Sequence, residues 1–250
     1  MDSPRLAALA LMQQRADEGV EFSAGTAGTA VGVLVGSRRT DDIEHLSALW
    51  RRQTGRDAAR VAGRPLFLRC DFEAGRWTAL TVYVDRQPDL PCDSPLTAQP
   101  LFCGSLRQRG SGEPEMAAYF DLRHRTAEAA LSLLDEHLQS VGWAEPVRES
   151  VQTRALDILP LGWLQYVAVT GDGGKAKLDL ASGRLPEALD LIGESDRPAA
   201  QRLAAVMRRL GGSLGYVGAV FSRQGALDLR LYGRAFPCTD LPATVARLGG

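Results

Sequence analysis

The sequence predicts an α+β fold in which antiparallel strand pairs alternate with helices in α-β-β-α units. Three observations predict it. From Pro65 the apolar period changes from helical to two, with Leu66, Leu68, Cys70 and Phe72 alternating with Phe67, Arg69 and Asp71. After a turn at Gly75, Thr78, Leu80, Val82 and Val84 alternate with Trp77, Thr81, Tyr83 and Asp85, so the two runs form a β-hairpin. The order strand, tight turn, strand, helix then recurs twice in the second half.

Along the chain, Ser3 and Pro4 open a helix carrying Leu6, Leu9, Ala10 and Met12. A short strand follows at Val20–Ser23 and a buried strand at Ala30–Val35. Asp41 or Asp42 caps a helix with Ile43, Leu46, Leu49 and Trp50 on its inner face. Beyond the 65–85 hairpin, residues 86–114 are rich in proline, serine and glycine and read as a long connection. A strand at Met116–Arg123 leads into a helix at Thr126–Ser140 that Gly142 ends. One echo runs from Leu161-Gly162-Trp163-Leu164 through the Gly171–Gly174 turn to Ala176–Leu180 and a helix of about two turns at Pro186–Ile192. After a helix at Pro198–Leu210, the second runs from Leu214-Gly215-Tyr216-Val217 through Gln224-Gly225 to Leu227–Tyr232 and a helix at Leu241–Leu248.

Composition bounds the function. The chain of 250 residues is 45% hydrophobic and has a net charge of -1, so it suits one domain over residues 1–250 and lacks the basic excess that draws nucleic acid or an anionic membrane. No apolar run is long enough to span a bilayer, and Met1–Arg5 does not resemble a secretory signal. Cys70, Cys92, Cys103 and Cys238 are scattered without a CxxC pair, which argues against structural zinc and a disulfide scaffold. Cytoplasmic placement with reduced thiols, of bacterial type, is the expectation. All but two of the 29 basic residues are arginine, and the two lysines, Lys175 and Lys177, stand two positions apart.

The strand faces opposite the apolar ones carry Arg69 and Asp71; Thr81, Tyr83 and Asp85; Tyr119, Asp121 and Arg123; Lys175, Lys177 and Asp179; and Asp228, Arg230, Tyr232 and Arg234. Two arrangements accommodate this pattern: an open sheet with one solvated face, or a closed barrel with helices outside and the polar face inside. A lumen lined by Arg, Lys and Tyr suits an anionic ligand such as a diphosphate. Aromatic rings beside the charges can shield a developing carbocation. An aspartate on that face, Asp71 or Asp228 foremost among Asp71, Asp121, Asp179 and Asp228, is a candidate base.

This grammar, with Lys175-x-Lys177 and Arg230-x-Tyr232 at alternate strand positions and Arg69, Tyr83, Tyr119 and Arg123 beside them, resembles the aromatic prenyltransferases of the ABBA barrel type. The resemblance implies a central barrel holding an isoprenoid diphosphate and an aromatic or peptidyl acceptor. It implies no cofactor, since many members need no metal, and leaves Mg2+ open. Lys175, Lys177, Arg230 and Tyr232, with Arg69, Tyr83, Tyr119 and Arg123, are the expected substrate-binding residues. The alternative is a non-catalytic binding or scaffold module that docks a protein or peptide on an open sheet face or strand edge.

Other motifs carry less. Gly25–Gly32 (GTAGTAVG) does not join a strand to a helix as a dinucleotide loop does. Gly171–Lys175 lies in a hairpin turn. His124, between Arg123 and Arg125, is a second candidate base. His137 is expected on the exposed side of its helix, and His45 and His137 lack partners at metal-ligand spacing. Cys70 is expected in the core, with Cys92, Cys103 and Cys238 in loops.

Overall fold

The computed structural model describes residues 12–13, 19–28, 30–36, 48, 65–73, 76–86, 94–109, 114–209, 213–234 and 238–248. Within them the strands β1 (Val20–Gly25), β2 (Val31–Gly36), β3 (Pro65–Glu73), β4 (Arg76–Val84), β5 (Leu101–Gln108), β6 (Glu115–Asp121), β7 (Trp163–Thr170), β8 (Lys175–Ala181), β9 (Leu214–Ser222) and β10 (Leu227–Gly233) form a closed antiparallel barrel. Each strand pairs with its neighbours in sequence. Closure comes from β1 against β10, where Ser23 faces Tyr232, Ala24 faces Leu231 and Gly25 faces Arg230. The barrel with helices outside is therefore the arrangement that forms, and the open sheet is not. Closure leaves no strand edge among the paired strands, which removes the surface on which edge docking depends.

Alternation decides what goes where. Leu68, Cys70, Leu80, Val82, Leu178, Leu180, Leu229 and Leu231 point outward and are buried. They pack under helices α1 (Ala127–Ser140), α2 (Glu145–Ile158), α3 (Leu185–Ser195), α4 (Arg197–Arg209) and α5 (Leu241–Leu248), which contribute Leu131, Leu134, Leu138, Ile192, Leu203 and Leu241 to one core. The Thr126 hydroxyl accepts the Ala129 N–H at 3.2 Å and caps α1, and Gly142, at φ +77°, terminates it as expected. Because strand directions alternate, the β1–β2, β3–β4, β5–β6, β7–β8 and β9–β10 turns gather at one end of the barrel, here the hairpin end. The longer connections leave from the other, helix, end.

Several expectations change. Helix α2 was not anticipated, although Val151, Ala155 and Ile158 give it a buried stripe. Helix α3 has 11 residues, about three turns rather than two. The stretch read as a long connection contains a 3₁₀ turn at Pro95–Ala98 and the whole of β5. Its strand signal is masked because Cys103 and Ser105 are small and sit on the inner face, so no bulky alternation appears. Cys103 is therefore in a strand, not a loop. The opening helix apart from Met12 and Gln13, the Asp41 helix apart from Ala48, and Cys92 lie outside the described residues. Among the described residues no helix is long and apolar enough to cross a membrane.

His137 is not on an exposed face. It is 2% exposed, and its Nδ1 lies 2.7 Å from the Ser94 hydroxyl, which also accepts the Leu96 N–H. This contact fixes the 3₁₀ turn to α1. Burial pushes the ring down to about 4 from 6.5. The unfolded chain thus takes up the proton first, so stability is full above about pH 6.5 and is lost as the pH falls toward 4. Replacing His137 with Gln is expected to flatten the fall in melting temperature between pH 7 and pH 5, measured by thermal denaturation at each pH.

Candidate functional site

About eight strands make a barrel that side chains can fill, and ten leave room inside. All five tyrosines of the chain, Tyr83, Tyr119, Tyr166, Tyr216 and Tyr232, line that space, as do both lysines. Two chambers of the lumen, among the described residues, share a wall. One, of about 260 Å³ toward the hairpin end, is lined by Arg107, Arg109, Glu115, Lys175, Asp228 and Arg230. The other, of about 210 Å³ toward the helix end, is lined by Glu21, Leu34, Phe67, Phe102, Tyr166 and Tyr216. Arg69, Tyr83, Tyr119, Lys177 and Tyr232 line both and form a diaphragm between them.

Ion pairs position the cations. Arg69 Nε donates to Asp71 Oδ1 at 2.8 Å, and Arg107 Nη2 pairs with the other oxygen of the same carboxylate. Arg230 Nε donates to Asp228 Oδ2 at 2.7 Å, while the Thr26 hydroxyl and the Ala27 N–H donate to Asp228 Oδ1 at 3.3 and 3.0 Å. Lys177 Nζ stands 2.7 Å from Asp179 Oδ2, and Lys175 pairs with Glu115. Burial opposes the charge on Asp71, but Arg69 and Arg107 overcome it and hold the carboxyl below its usual range. Burial likewise opposes the charges on Arg69 and Lys177, and Asp71 and Asp179 respectively raise both above their ordinary values.

Asp71 and Asp228 engage Arg69 and Arg230 through Nε, and no described residue accepts from the Nη groups at the ends of those two guanidiniums. The Ser23 hydroxyl and Arg107 Nε are buried without a hydrogen-bond partner among the described residues. Buried donors without acceptors are uncommon in folded proteins, and these two lie around one carboxylate-anchored cluster of guanidiniums, while a third, Arg148 Nε, lies outside the lumen on α2. The arrangement has the chemistry of an anion seat.

An aromatic path continues from the diaphragm. Lys177 Nζ lies 4.8 Å from the Tyr232 ring centroid and 5.7 Å from that of Tyr119. Tyr119 meets Tyr83 edge-on at 5.7 Å, and Tyr83 meets Phe67 at 6.1 Å. Phe67 lies 6.3 Å from Phe102, which stacks on Tyr166 at 4.1 Å. A register shift between Leu101 and Cys103 lets adjacent Phe102 and Cys103 both line the helix-end chamber, as bulges do. Glu21 completes this chamber. Burial pushes its carboxyl up to about 7, with Arg69 and Lys177 pulling the other way and Asp179 adding to the rise.

The structure brings together Arg69, Tyr83, Tyr119, Lys175, Lys177, Arg230 and Tyr232, with Asp71 and Asp228 as counter-ions. Arg123 stands apart. It pairs with Asp121 at the helix-end rim, with its side chain 56% exposed and its guanidinium 5.9 Å from the Tyr166 ring. His124 is exposed in the neighbouring turn. Burial raises the Cys103 thiol to about 12, which leaves it unreactive. Glu21, Arg107, Tyr166 and Tyr216 also line the lumen, with Ser23 buried behind it, and the sequence does not single them out. Their signal was inward alternation on β1, β5, β7 and β9, readable only once those strands are paired. Among the described residues no three His, Cys, Asp or Glu cluster as metal ligands.

Removing one member of a buried ion pair costs about 3–5 kcal/mol because the other is left uncompensated. Asp71→Ala is therefore expected to lower stability by about 3 kcal/mol in urea unfolding. Arg123→Ala, on the exposed pair, is expected to leave the midpoint unchanged.

No protein-family model matches the chain, and no curated protein matches it. Solved structures do. A 5-dimethylallyltryptophan synthase from Streptomyces coelicolor superposes with a TM-score of 0.58 at 13% identity, over 86% of this chain and 80% of that one. The same enzyme in complex with DMASPP and Trp gives 0.56 at 14% identity, over 86% and 78%. The chain shares their fold.

Proposed function

We propose that the protein transfers a short isoprenoid group from its diphosphate to a small aromatic acceptor inside the barrel. The observation that carries this reading is the diaphragm, in which tyrosines and paired cations separate a charged chamber from an aromatic one. The similar barrel that holds DMASPP and Trp supports it.

The diphosphate sits in the hairpin-end chamber on the guanidinium ends of Arg69 and Arg230, with Arg107, Lys175 and Lys177 beside it. The bond between the allylic carbon and the diphosphate oxygen breaks, and its electron pair leaves with the diphosphate. Fixed cations stabilise the charge that develops there. The allylic cation lies among the faces of Tyr83, Tyr119 and Tyr232, which stabilise it by cation–π attraction. A ring carbon of the acceptor, stacked among Phe67, Phe102 and Tyr166, forms the new bond. The ring proton then passes to Glu21.

Asp71 and Asp228 fit poorly as that base. Each is committed to guanidiniums, and Asp71 is held below the usual carboxylate range. Glu21 instead accepts no hydrogen bond from a described residue, and burial lifts it to about 7, near the pH at which a base works best. Activity is expected to rise with pH through about 7, because only the carboxylate accepts a proton. Glu21→Gln is expected to remove that limb from the pH profile of kcat/KM and to lower the rate by about 10²–10⁴.

A thermal-shift titration with pyrophosphate and dimethylallyl diphosphate, with and without Mg2+, tests the reading. Saturable stabilisation without Mg2+ is expected, with loss of both shift and product in the Lys177→Ala/Arg230→Ala variant. No shift with any diphosphate overturns it.

A further inference from the structure

We infer that Gly32 and Gly218 are positioning residues of the diphosphate site, a role that rests on the reading above. Each is a notch in the wall through which a cation on the neighbouring strand reaches the diaphragm.

The barrel repeats one device three times. On β3, β8 and β10 an ion pair joins inward residues two positions apart: Arg69 with Asp71, Lys177 with Asp179, and Asp228 with Arg230. Directly across from one member of each pair, on the adjacent strand, stands a glycine. Gly32 of β2 is opposite Asp71, Gly218 of β9 is opposite Asp179, and Gly25 of β1 is opposite Arg230. In each case the ion pair occupies the volume a side chain would take. A Cβ on Gly32 would lie 2.6 Å from Arg69 Cζ and 2.6 Å from Ser23 Oγ. On Gly218 it would lie 2.9 Å from Asp179 Oδ1, 3.0 Å from Tyr232 Cε2 and 3.1 Å from Lys177 Cε. On Gly25 it would lie 2.5 Å from Asp228 Oδ1. At each glycine at least one of these distances is under 3.0 Å, closer than real Cβ atoms come, so something there must shift.

The notches explain how distant cations converge. Strands two apart in a sheet are separated by roughly 9.5 Å. Lys177 on β8 nevertheless reaches the Tyr232 ring on β10, passing over Gly218 on the strand between them. Arg69 on β3 reaches the same ring from the other side, at 5.8 Å, passing over Gly32 on β2 and Ser23 on β1. Tyr232 is thus approached by two cations, each of which crosses a position without a side chain. Lying against the wall, the pairs leave the axis of the lumen open for the ligand.

A methyl group at either glycine meets side chains and not backbone, and the long cationic chain at each, Arg69 at Gly32 and Lys177 at Gly218, is the neighbour that can yield. Gly32→Ala and Gly218→Ala are expected to keep the melting temperature within a few degrees while weakening pyrophosphate binding, measured by calorimetry, by about tenfold, the loss of one charge-assisted contact. Gly183→Ala, where nothing lies within 4 Å of the added carbon, is the control and is expected to bind as the unmodified protein does. The distinguishing readout is a double-mutant cycle. If Gly218 acts through Lys177, Gly218→Ala weakens binding in the natural protein and has no further effect in a Lys177→Met background. Equal loss in both backgrounds, or unchanged affinity in both glycine variants, overturns the inference. Absence of pyrophosphate binding to the unmodified protein overturns the diphosphate reading itself, and the two failures are thereby told apart.

Discussion

Asp71 carries two guanidiniums, Arg69 and Arg107, on the inside of a barrel wall, and much of the lumen depends on how that charge is contained. Burying ions is costly unless each is paired and hydrogen-bonded. For Arg69, Lys177 and Arg230 the pairing is done along the strand, since residues two apart point the same way, whereas Arg107 and Lys175 reach Asp71 and Glu115 on other strands. The consequence is a lumen whose cations are held in place before any ligand arrives. The Nε anchoring of Arg69 and Arg230 leaves their outer ends for a ligand, so containment and recognition use different atoms of the same side chain.

Closure gives those pairs their meaning. The β1–β10 contact brings Ser23 opposite Tyr232, and through it Arg69 from one side and Lys177 from the other converge on one ring. Outside, the apolar faces of the same strands pack under α1 to α5, so one alternation builds both the core and the site. The gradient along the axis follows from composition at each end. Charged residues cluster near the tight turns, aromatic ones near the helix end, and the tyrosines and paired cations stand between. That order separates a leaving diphosphate from an aromatic acceptor and holds the reacting carbon between them.

Much of this was legible in the sequence because period-two alternation is a local signal. The hairpins at β3–β4, β7–β8 and β9–β10 announce themselves through Leu66/Leu68/Cys70, Ala176/Leu178/Leu180 and Leu227/Leu229/Leu231, and their opposite faces already carry Arg69, Lys175, Lys177, Arg230 and Tyr232. β5 was hidden because its inner face is built of Cys103 and Ser105 within a stretch that reads as loop. Glu21 escaped because a short strand gives no indication of which neighbour its inner face will meet. Arg123 misled in the opposite way: it continues the alternation of β6 past Asp121, where the strand ends, and so points to solvent. Closure itself rests on pairing between residues about 200 positions apart, which no local pattern encodes.

The most direct measurement is a crystal structure of the protein soaked with a non-reactive dimethylallyl diphosphate analogue. Its phosphates are expected against the Nη groups of Arg69 and Arg230, with Lys177 in contact, and its isoprenoid tail among Tyr83, Tyr119 and Tyr232. A lumen left empty, or an analogue bound with its phosphates toward Phe102 and Tyr166, would contradict that placement.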